Sequence, residues 1–456
     1  MKSSNAILGK LALIALPILS SITCRTSPTG PHISNNLSLS TDYVTCTEVW
    51  LKLSYTARQA PNGSSDFRIV RDADTVLTGS LSGTDTVVID TTTRPERTYT
   101  YKAFYLVNGQ VSDTSQPLHV TTLDTTSNNF TWQTYTFGGN AGGSVLNDVA
   151  IINDTDIWAV GDIPIKDSSA NGYSVYNLVK WDGHQWSLRQ IMFPLCDPSG
   201  NKQNLQPFTC YGVAALSYSN VWLSGGGSLV HWQAGTPEPL CFSLGYGQRT
   251  LERMLGIAGD LYIVGTNGFA AYYDGYTWQQ VANVTNLDVD DIWGVFNSTT
   301  GQSEVLAVAS DEFTNDGVAV LQLSGTQATM LQTAGLPTTS IVGVWSADGK
   351  EWYVCGDGLY MTRNLNQTWQ KIKSVPPVQM QAIRGTGPNN IYVVGDFGLA
   401  LHWNGESWYD CTGNGLSYIQ GSYLAVAANG NTVVAVGYSR GSPTNQPAVA
   451  LIGRRN

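Results

Sequence analysis

A short pattern recurs along roughly the C-terminal three-quarters of this chain and constrains its fold more than any other feature. Each copy is a hydrophobic run closed by glycine, and in several copies a later turn reads aromatic-Asp/Asn-Gly-x-x-Trp. The closing glycines are Gly161, Gly225, Gly265, Gly356, Gly395 and Gly437. The turn occurs at 181–186, 273–278 and 403–408. Three of the five glycine spacings are close to 40 residues, so the chain is built from repeated units of short strands.

This period predicts an all-β protein whose residues 130–456 form a seven-bladed β-propeller. The glycine spacings are 64, 40, 91, 39 and 42 residues. The spacing of 91 must hide a degenerate repeat, with strands expected at 289–296, 304–309, 317–325 and 328–333. The spacing of 64 contains an insertion at 193–209. The last repeat has only three strands, so we expect segment 130–137 to pair with 448–452 and close the ring, because an open edge would leave backbone groups unpaired.

One turn carries a more specific motif. Residues Thr362 to Trp369 have the spacing of the Asp-box, with Asn in place of its Asp and Gly. This segment resembles the hairpin of sialidase-like and photosystem-assembly-factor-like propellers. The resemblance implies that Asx side chains bond the turn backbone while the tryptophan packs between blades. It therefore assigns packing roles to the repeated turn tryptophans, which are Trp186, Trp278, Trp369 and Trp408. Repetition also favours an architectural role for His231 and His402, which occupy equivalent positions.

Residues 32–124 show the alternation of apolar and polar residues that half-buried strands require, with turn signals between the runs. About 90 residues of this kind favour a β-sandwich. The segment from Pro95 to Ala103 resembles the corner before strand F of a fibronectin type III domain. By that resemblance Tyr99 is the corner tyrosine, and the domain acts as a spacer or adhesive unit.

The N-terminus predicts export. Residues 1–24 combine early lysines, an apolar stretch from Leu11 to Leu19 and a small-residue end, as in a signal peptide. Cys24 closes this segment, and a polar linker at 25–31 follows. The arrangement resembles a bacterial lipoprotein, in which Cys24 would carry the lipid. We therefore expect an outer-membrane or cell-surface lipoprotein, with a periplasmic or secreted protein as the alternative.

Composition narrows the range of partners. The chain has 456 residues, a formal net charge of −10 and only 13% charged residues. A nucleic-acid partner would need a basic face, and adsorption to anionic lipid would need the same. We therefore expect a protein or glycan ligand, no nucleic acid, and membrane contact only through the N-terminal lipid.

Cysteine and histidine spacing predicts no metal site and no cofactor, because no CxxC pair occurs and the five histidines are scattered. The acidic run at 288–291 lacks the ligand spacing of a known calcium loop. An exported protein permits disulfides. Cys196 and Cys210 bracket the polar insertion, so we expect them to form a disulfide, whereas Cys355 suits an isolated buried thiol.

The same topology places candidate ligand-binding residues on one face of the ring. Asp162, Asp357 and Asp396 each follow a repeated glycine, with Asn267 and Tyr438 near equivalent positions. Each Asp is suited to cap its own turn. The functional hypothesis is that their ring, together with Arg440 and the inserted loop, forms the mouth of an axial channel and binds a partner.

No catalytic residues are identified, and whether the chain is an enzyme stays open, with a binding role favoured. The main hypothesis is a non-enzymatic binding protein of the cell envelope or cell surface. One alternative is a secreted, sialidase-like glycan-degrading enzyme, which would need arginines around a tyrosine, or paired carboxylates, at the axis. The other is a structural or assembly factor of an envelope complex.

Overall fold

The computed structural model describes residues 36–456 except 57–64, 82, 198, 243, 245–249, 312–316, 414 and 442–445. The predicted signal segment, Cys24, the linker at 25–31 and residues 32–35 lie outside the described residues. Every helix or strand element in the described part of the chain is a β-strand, as the Gly-, Thr- and aromatic-rich composition predicts. No helix long and apolar enough to cross a membrane occurs among those residues.

The N-terminal unit contains two packed sheets. Its strands are β1 (Leu37–Val44), β2 (Val49–Tyr55), β3 (Ser65–Arg71), β4 (Asp74–Ser80), β5 (Asp85–Asp90), β6 (Thr98–Val107), β7 (Gln110–Thr114) and β8 (Leu118–Thr121). One sheet has the order β1-β2-β5, and the other has β4-β3-β6-β7 with β8 also paired to β6. Alternate residues of β2 and β6, such as Leu51 and Tyr101, fill the core between the sheets. The hydroxyl of Tyr99 accepts a hydrogen bond from the backbone N–H of Arg94 at 3.0 Å.

The described residues that follow form seven four-stranded antiparallel sheets and one two-stranded hairpin. The first three sheets are β10 (Val145–Asn153), β11 (Asp156–Lys166), β12 (Tyr173–Trp181) and β13 (Trp186–Arg189); β16 (Cys210–Ser217), β17 (Asn220–Gly225), β18 (Ser228–Gln233) and β19 (Thr236–Leu240); and β20 (Leu251–Ile257), β21 (Asp260–Gly265), β22 (Phe269–Tyr273) and β23 (Trp278–Gln280). The hairpin, β14 (Phe193–Cys196) with β15 (Lys202–Gln206), is the predicted insertion.

The fourth sheet is the degenerate repeat that the long glycine spacing predicts, and its four strands lie where they were expected. The last four sheets are β24 (Asp288–Asn297), β25 (Gln302–Ser310), β26 (Val318–Ser324) and β27 (Gln327–Met330); β28 (Ile341–Ser346), β29 (Trp352–Gly356), β30 (Gly358–Thr362) and β31 (Gln370–Lys371); β32 (Met380–Gly387), β33 (Asn390–Gly395), β34 (Ala400–Trp403) and β35 (Trp408–Asp410); and β36 (Gly421–Asn429), β37 (Thr432–Ser439), β38 (Ala448–Arg455) and β9 (Phe130–Phe137).

The closing strand is confirmed. Strand β9 pairs antiparallel with β38 from Phe130 opposite Arg455 to Phe137 opposite Ala448. The first strands of the seven sheets contact one another in a closed cycle, β10-β16-β20-β24-β28-β32-β36 and back to β10. Seven buried clusters of hydrophobic side chains each join two neighbouring sheets of that cycle. The sequence alternation within each strand therefore supplies one apolar layer to each neighbour.

The strand order gives the ring two faces. We call the face where the first strands begin the loop face. It carries Asp357 and Asp396, which directly follow β29 and β33, and Asp162, which pairs with the first residue of β10. The opposite face carries the turns between third and fourth strands, at Asp182, Asp274 and Asn404, and we call it the turn face. The repeated turns of this second face behave as the sequence predicts. Each of these three side chains accepts two backbone N–H bonds, from the residues two and three positions later.

The turn tryptophans pack between sheets, as expected. Trp369 is buried, and Trp186, Trp278 and Trp408 are partly buried against the inter-sheet clusters. The two histidines are also architectural. His231 stacks on Trp222 and bonds Asn220, and His402 stacks on Tyr392 and bonds Asn390 in the same way.

The predicted Cys196–Cys210 disulfide is wrong. Cys196 is bonded to Cys241, 45 residues further on, with the Cα atoms 5.8 Å apart. Strand β14 packs against the second sheet, where the hydroxyl of Ser228 donates to the carbonyl oxygen of Pro194 at 2.7 Å. This places Cys196 beside the residue that follows β19. Cys210 begins β16 and is a buried thiol within the cluster between the first two sheets. Cys355 is also a buried free thiol, as predicted.

Candidate functional site

A concave site lies on the loop face between the sixth and seventh sheets. It is a cavity of about 470 Å³. Its lining residues are Asp396, Phe397, Tyr418, Gln420, Gly421, Tyr438 and Arg440. We call this cavity the loop-face groove. It brings together two of the four residues that the sequence predicted for binding, Asp396 and Arg440.

Asp396 has a structural role in the groove wall. Its carboxylate oxygen Oδ1 accepts a hydrogen bond from the Ser422 hydroxyl at 2.8 Å and another from the Gln381 side-chain amide at 3.2 Å. Its backbone N–H donates to the carbonyl oxygen of Gln379 at 3.0 Å. Asp396 therefore ties the sixth sheet to the seventh and shapes the groove.

Phe397 is the least expected residue of the groove. It occupies the turn between β33 and β34 at a positive φ of 59°, followed by Gly398 at 73°. The equivalent turns of the second and third sheets place Gly226 and Asn267 at that position, with φ of 59° and 57°. Glycine and asparagine tolerate this conformation, whereas a bulky side chain there is strained. Phe397 is nevertheless 59% exposed, so burial of its ring does not compensate for the strain.

Arg440 supplies the available charge of the groove. Its guanidinium lies over the ring of Tyr438, 5.7 Å from the centroid. Within the described part of the chain, no carboxylate forms an ion pair with it. Tyr418, which also lines the groove, is 60% exposed. The groove thus combines two exposed aromatic rings with a cation, a composition typical of contact sites for proteins.

The other two predicted residues do not line this groove. Asp357 is exposed, and its carboxylate accepts a hydrogen bond from the Thr339 hydroxyl at 2.9 Å. Asp162 is half-buried, and burial raises the pKa of its carboxyl while a hydrogen bond with Thr209 opposes the shift. Both lie on the loop face as expected. Asp162 interacts with the connection before β16 of the next sheet, whereas Asp357 interacts with the connection before β28 of its own sheet. The four residues therefore do not form one ring around a common cavity.

A second site lies on the axis, and sequence reasoning missed it. Each of the seven first strands contains a β-bulge near its start, where one residue is skipped in the pairing with the second strand. The skipped residues are Asn147, Tyr211, Glu252, Asp290, Val342, Gln381 and Leu424. With Arg253, these residues line a single cavity of about 240 Å³, which we call the axial mouth. A bulge re-aims a side chain that regular pairing would hold in the sheet.

The channel beneath the axial mouth contains charged residues from several sheets. Arg384 forms a two-point ion pair with Asp291, with nitrogen–oxygen distances of 2.6 and 2.8 Å. Asp148 accepts backbone hydrogen bonds from Val149 and Val213, and burial raises the pKa of its carboxyl.

The acidic run at 288–291 is divided among separate roles. Asp288 caps the turn at Asn267, Asp290 accepts hydrogen bonds from Ser310, and Asp291 pairs with Arg384. No metal-ligating group of three side chains occurs among the described residues.

The axial mouth has only some of the residues that a glycan-degrading, sialidase-like enzyme would need. Tyr211, Glu252 and Arg253 line one cavity, which gives such a site a tyrosine, a carboxylate and one arginine. However, the second axial arginine, Arg384, is already paired with Asp291. The arrangement therefore offers one arginine rather than a cluster.

The turn face is occupied by the N-terminal unit. Nε of Arg363 lies 3.1 Å from Oε2 of Glu48 and 3.6 Å from Oε1 of Glu351, and its Nη2 donates to the other oxygen of Glu48. A second ion pair joins Lys350 to Asp42 at 2.7 Å. We call Glu48, Glu351 and Arg363 the interdomain triad. These ion pairs place the described N-terminal unit on the face opposite the loop-face groove.

The fold and site together define the class of protein as a β-propeller. The solved structure of YCF48 bound to D1 peptide has a TM-score of 0.51 with this chain at 12% identity, covering 73% of this chain and 97% of that chain. The WD40 β-propeller domain of Doa1 has a TM-score of 0.47 at 14% identity, covering 71% and 97%. No protein-family model matches the sequence, and no curated protein matches it. At this identity the likeness concerns the fold alone.

Proposed function

We propose that this chain is a non-enzymatic binding protein that captures a protein partner in the loop-face groove. The observation that carries the proposal is Phe397, a bulky residue held at positive φ and left exposed where equivalent turns use glycine or asparagine. Strain of this kind persists where a local conformation serves a function. Phe397 and Tyr418 would anchor the partner, while Arg440 would bind a carboxylate that the partner presents.

The proposed architecture places that groove far from the N-terminal end. The seven four-stranded sheets would be the blades of one seven-bladed propeller, and the N-terminal unit would be a fibronectin type III-like spacer. Its two sheets of three and five strands and the hydrogen bond of Tyr99 support this assignment. Docking on the turn face would direct the loop face away from the spacer.

Peptide recognition is compatible with the fold. YCF48, which shares the propeller fold, is seen with a bound D1 peptide. The likeness supports a scaffold that can bind an extended protein segment, and it does not transfer the identity of the ligand.

We also propose that the protein is exported and carries a lipid on Cys24, which would place the propeller at the cell envelope. The support is the signal-like segment at 1–24 and the polar linker that follows it. Labelling of growing cells with an alkyne-tagged fatty acid should mark the wild-type chain and not Cys24→Ser. A labelled Cys24→Ser chain would reject lipid attachment at this residue.

Site-specific cross-linking tests the groove. A photoreactive phenylalanine at position 418 should capture one defined partner in the native envelope, and the same residue at position 276 should not. Tyr276 is the matched control because it is 89% exposed and lies on the turn face. Mass spectrometry should map the cross-link to one peptide segment of the partner.

The specificity of the capture is tested by groove variants. Phe397→Asn and Arg440→Gln should each reduce the cross-link at position 418 without changing the amount of folded protein. Equal capture at positions 418 and 276, or capture unaffected by both variants, would reject the groove as the binding site. A cross-link to carbohydrate instead of protein would support glycan recognition.

A further inference from the structure

The axial mouth presents hydrogen-bond acceptors that the fold itself does not use. The side-chain amide nitrogen of Asn147 donates a hydrogen bond to the carbonyl oxygen of Cys210 at 3.0 Å. The side-chain amide nitrogen of Gln381 donates to the carboxylate of Asp396 at 3.2 Å. In both residues the side-chain carbonyl oxygen accepts no hydrogen bond from the described part of the chain, so it is the group left for a ligand.

Glu252 is the charged acceptor of the same cavity. Its side chain has no hydrogen bond and no ion pair within the described residues, although it is half-buried. Burial raises the pKa of its carboxyl, Arg253 opposes the shift, and nearby Asp288 adds to it. The Arg253 guanidinium instead donates to the backbone carbonyl oxygens of Tyr211 and Glu252, at 3.4 and 3.1 Å. A half-buried carboxylate that accepts no hydrogen bond is stabilised by a cation that donates one.

The charge balance along the axis favours the same kind of ligand. The axial mouth and the channel beneath it hold four described carboxylates and two guanidinium groups. The carboxylates are Asp148, Glu252, Asp290 and Asp291, and the guanidinium groups belong to Arg253 and Arg384. The formal balance is therefore negative by two charges, and a cation entering from the loop face would reduce it.

We propose that the axial mouth is a binding site for a primary ammonium group. The free acceptors come from different strands around a ring, on Asn147, Glu252 and Gln381. They therefore do not form the flat pair that a guanidinium fork requires. An ammonium group is a compact charge with three donors that point in different directions, so it fits this arrangement better.

The most direct source of the ammonium group is a lysine side chain of the proposed partner. Gln381 lines the axial mouth and bonds Asp396, which lines the loop-face groove, so the two cavities are neighbours on one face. A segment anchored on Phe397 would be able to place a lysine over the axis. This inference rests on the proposed function only for the source of the amine, and the site itself is tested with small probes.

The first experiment measures binding of Nα-acetyl-lysine N-methylamide to the full chain by calorimetry at low salt. The matching norleucine compound lacks the ammonium group and should not bind, and methylamine serves as the free-amine arm. Glu252→Gln should weaken binding of the lysine compound about tenfold, since it removes a charged acceptor but keeps the shape. Glu238→Gln, on the exposed outer strand β19, is the matched control and should leave binding unchanged.

A gain-of-function variant keeps the proposal testable if Glu252→Gln folds poorly. Val342 occupies the same bulge position in the fifth sheet and faces the cavity with an apolar side chain. Val342→Glu should tighten binding of the lysine compound severalfold relative to Val342→Gln.

Each outcome decides the proposal. No binding of the lysine compound, equal binding of the norleucine compound, or unchanged affinity in Glu252→Gln would overturn it. Binding of methylamine as tight as the lysine compound would confirm the ammonium site and assign it to a free amine. A failed axial site with intact cross-linking at position 418 would leave the groove in place, so the two proposals fail separately.

Discussion

On the turn face, Asp182, Asp274 and Asn404 occupy equivalent turns of three sheets and make the same two backbone hydrogen bonds. On the loop face, the equivalent turns differ, since Gly226 and Asn267 suit their backbone conformation and Phe397 does not. Both faces derive from the same repeat. Features that repeat stabilise the ring, and a departure from the repeat marks a candidate for function.

The two faces also differ in what they contact. The turn face packs against the N-terminal unit through the interdomain triad, whereas the loop face carries the groove and the axial mouth. Substitutions on the turn face should therefore act mainly on stability. Those that line the groove or the axial mouth should act mainly on binding.

The largest effect should come from removing the strand that both faces depend on. Deletion of 130–138 removes β9, leaves the outer edge of β38 unpaired and should abolish cooperative unfolding of the ring. Thermal unfolding and limited proteolysis measure this. Deletion of the exposed residues 168–171 between β11 and β12 is the control and should preserve the transition. A deletion variant with an unchanged midpoint would contradict the closed ring.

The next largest effect concerns the insertion on the loop face. Replacing Cys196 and Cys241 together by serine opens a loop of 45 residues, which the chain-entropy model values at about 4 kcal/mol. Urea unfolding should show a loss of up to that size, and reductant should produce the same loss in the wild type. Cys210→Ala is the control, since it should not change the response to reductant. If Cys210→Ala no longer responded to reductant, the result would support the Cys196–Cys210 disulfide that the sequence predicted.

On the turn face, the interdomain triad should make stability depend on pH. Burial and the neighbouring Glu48 raise the pKa of Glu351 to about 7 from 4.5, while Arg363 opposes them and Asp348 adds to them. Because the folded state binds this proton more tightly, the stabilisation is present at low pH and is lost as pH rises through 7. Between pH 6 and pH 8 we expect a loss of about 1–1.5 kcal/mol.

The free energy of unfolding is measured as a function of pH for wild type and for Glu351→Gln, whose side-chain amide cannot titrate. His402 complicates the acid side, because burial and Arg455 lower the pKa of its ring to about 3. A histidine with a lowered pKa loses stability as pH falls below its unfolded value. The difference between the two chains cancels this contribution. Parallel pH curves for wild type and Glu351→Gln would exclude the triad as the cause.

The smallest effect on stability should come from the strained turn of the loop face. Unlike the changes above, this one should stabilise the protein. Phe397→Asn should raise the free energy of unfolding by roughly 0.5–1 kcal/mol, because asparagine tolerates positive φ. The same change should weaken cross-linking at position 418. Asn267→Phe makes the reverse change in the third sheet and should destabilise without affecting capture. If Phe397→Asn were destabilised, packing of the Phe397 ring would contribute more to stability than the positive φ costs.

The local pattern of the sequence determined most of the architecture. Alternation of apolar and polar residues specified the strands, the glycine period specified the repeated sheets, and Asx chemistry specified the turns, because each depends on residues close in the chain. Even the closing strand followed from counting, since a repeat one strand short needs a partner. The hidden repeat at 288–330 was found by the same argument.

The tertiary structure alone decided what meets on the two faces. Cys196 pairs with Cys241 because β14 packs on the second sheet, a contact that sequence spacing does not report. The bulges that create the axial mouth depend on how each first strand pairs with its second strand. No sequence motif therefore identifies Glu252 as a residue that lines this cavity. Phe397 is an ordinary aromatic residue in the sequence. Its significance arises only from a positive φ that the neighbouring strands impose, because backbone strain is a property of the folded chain.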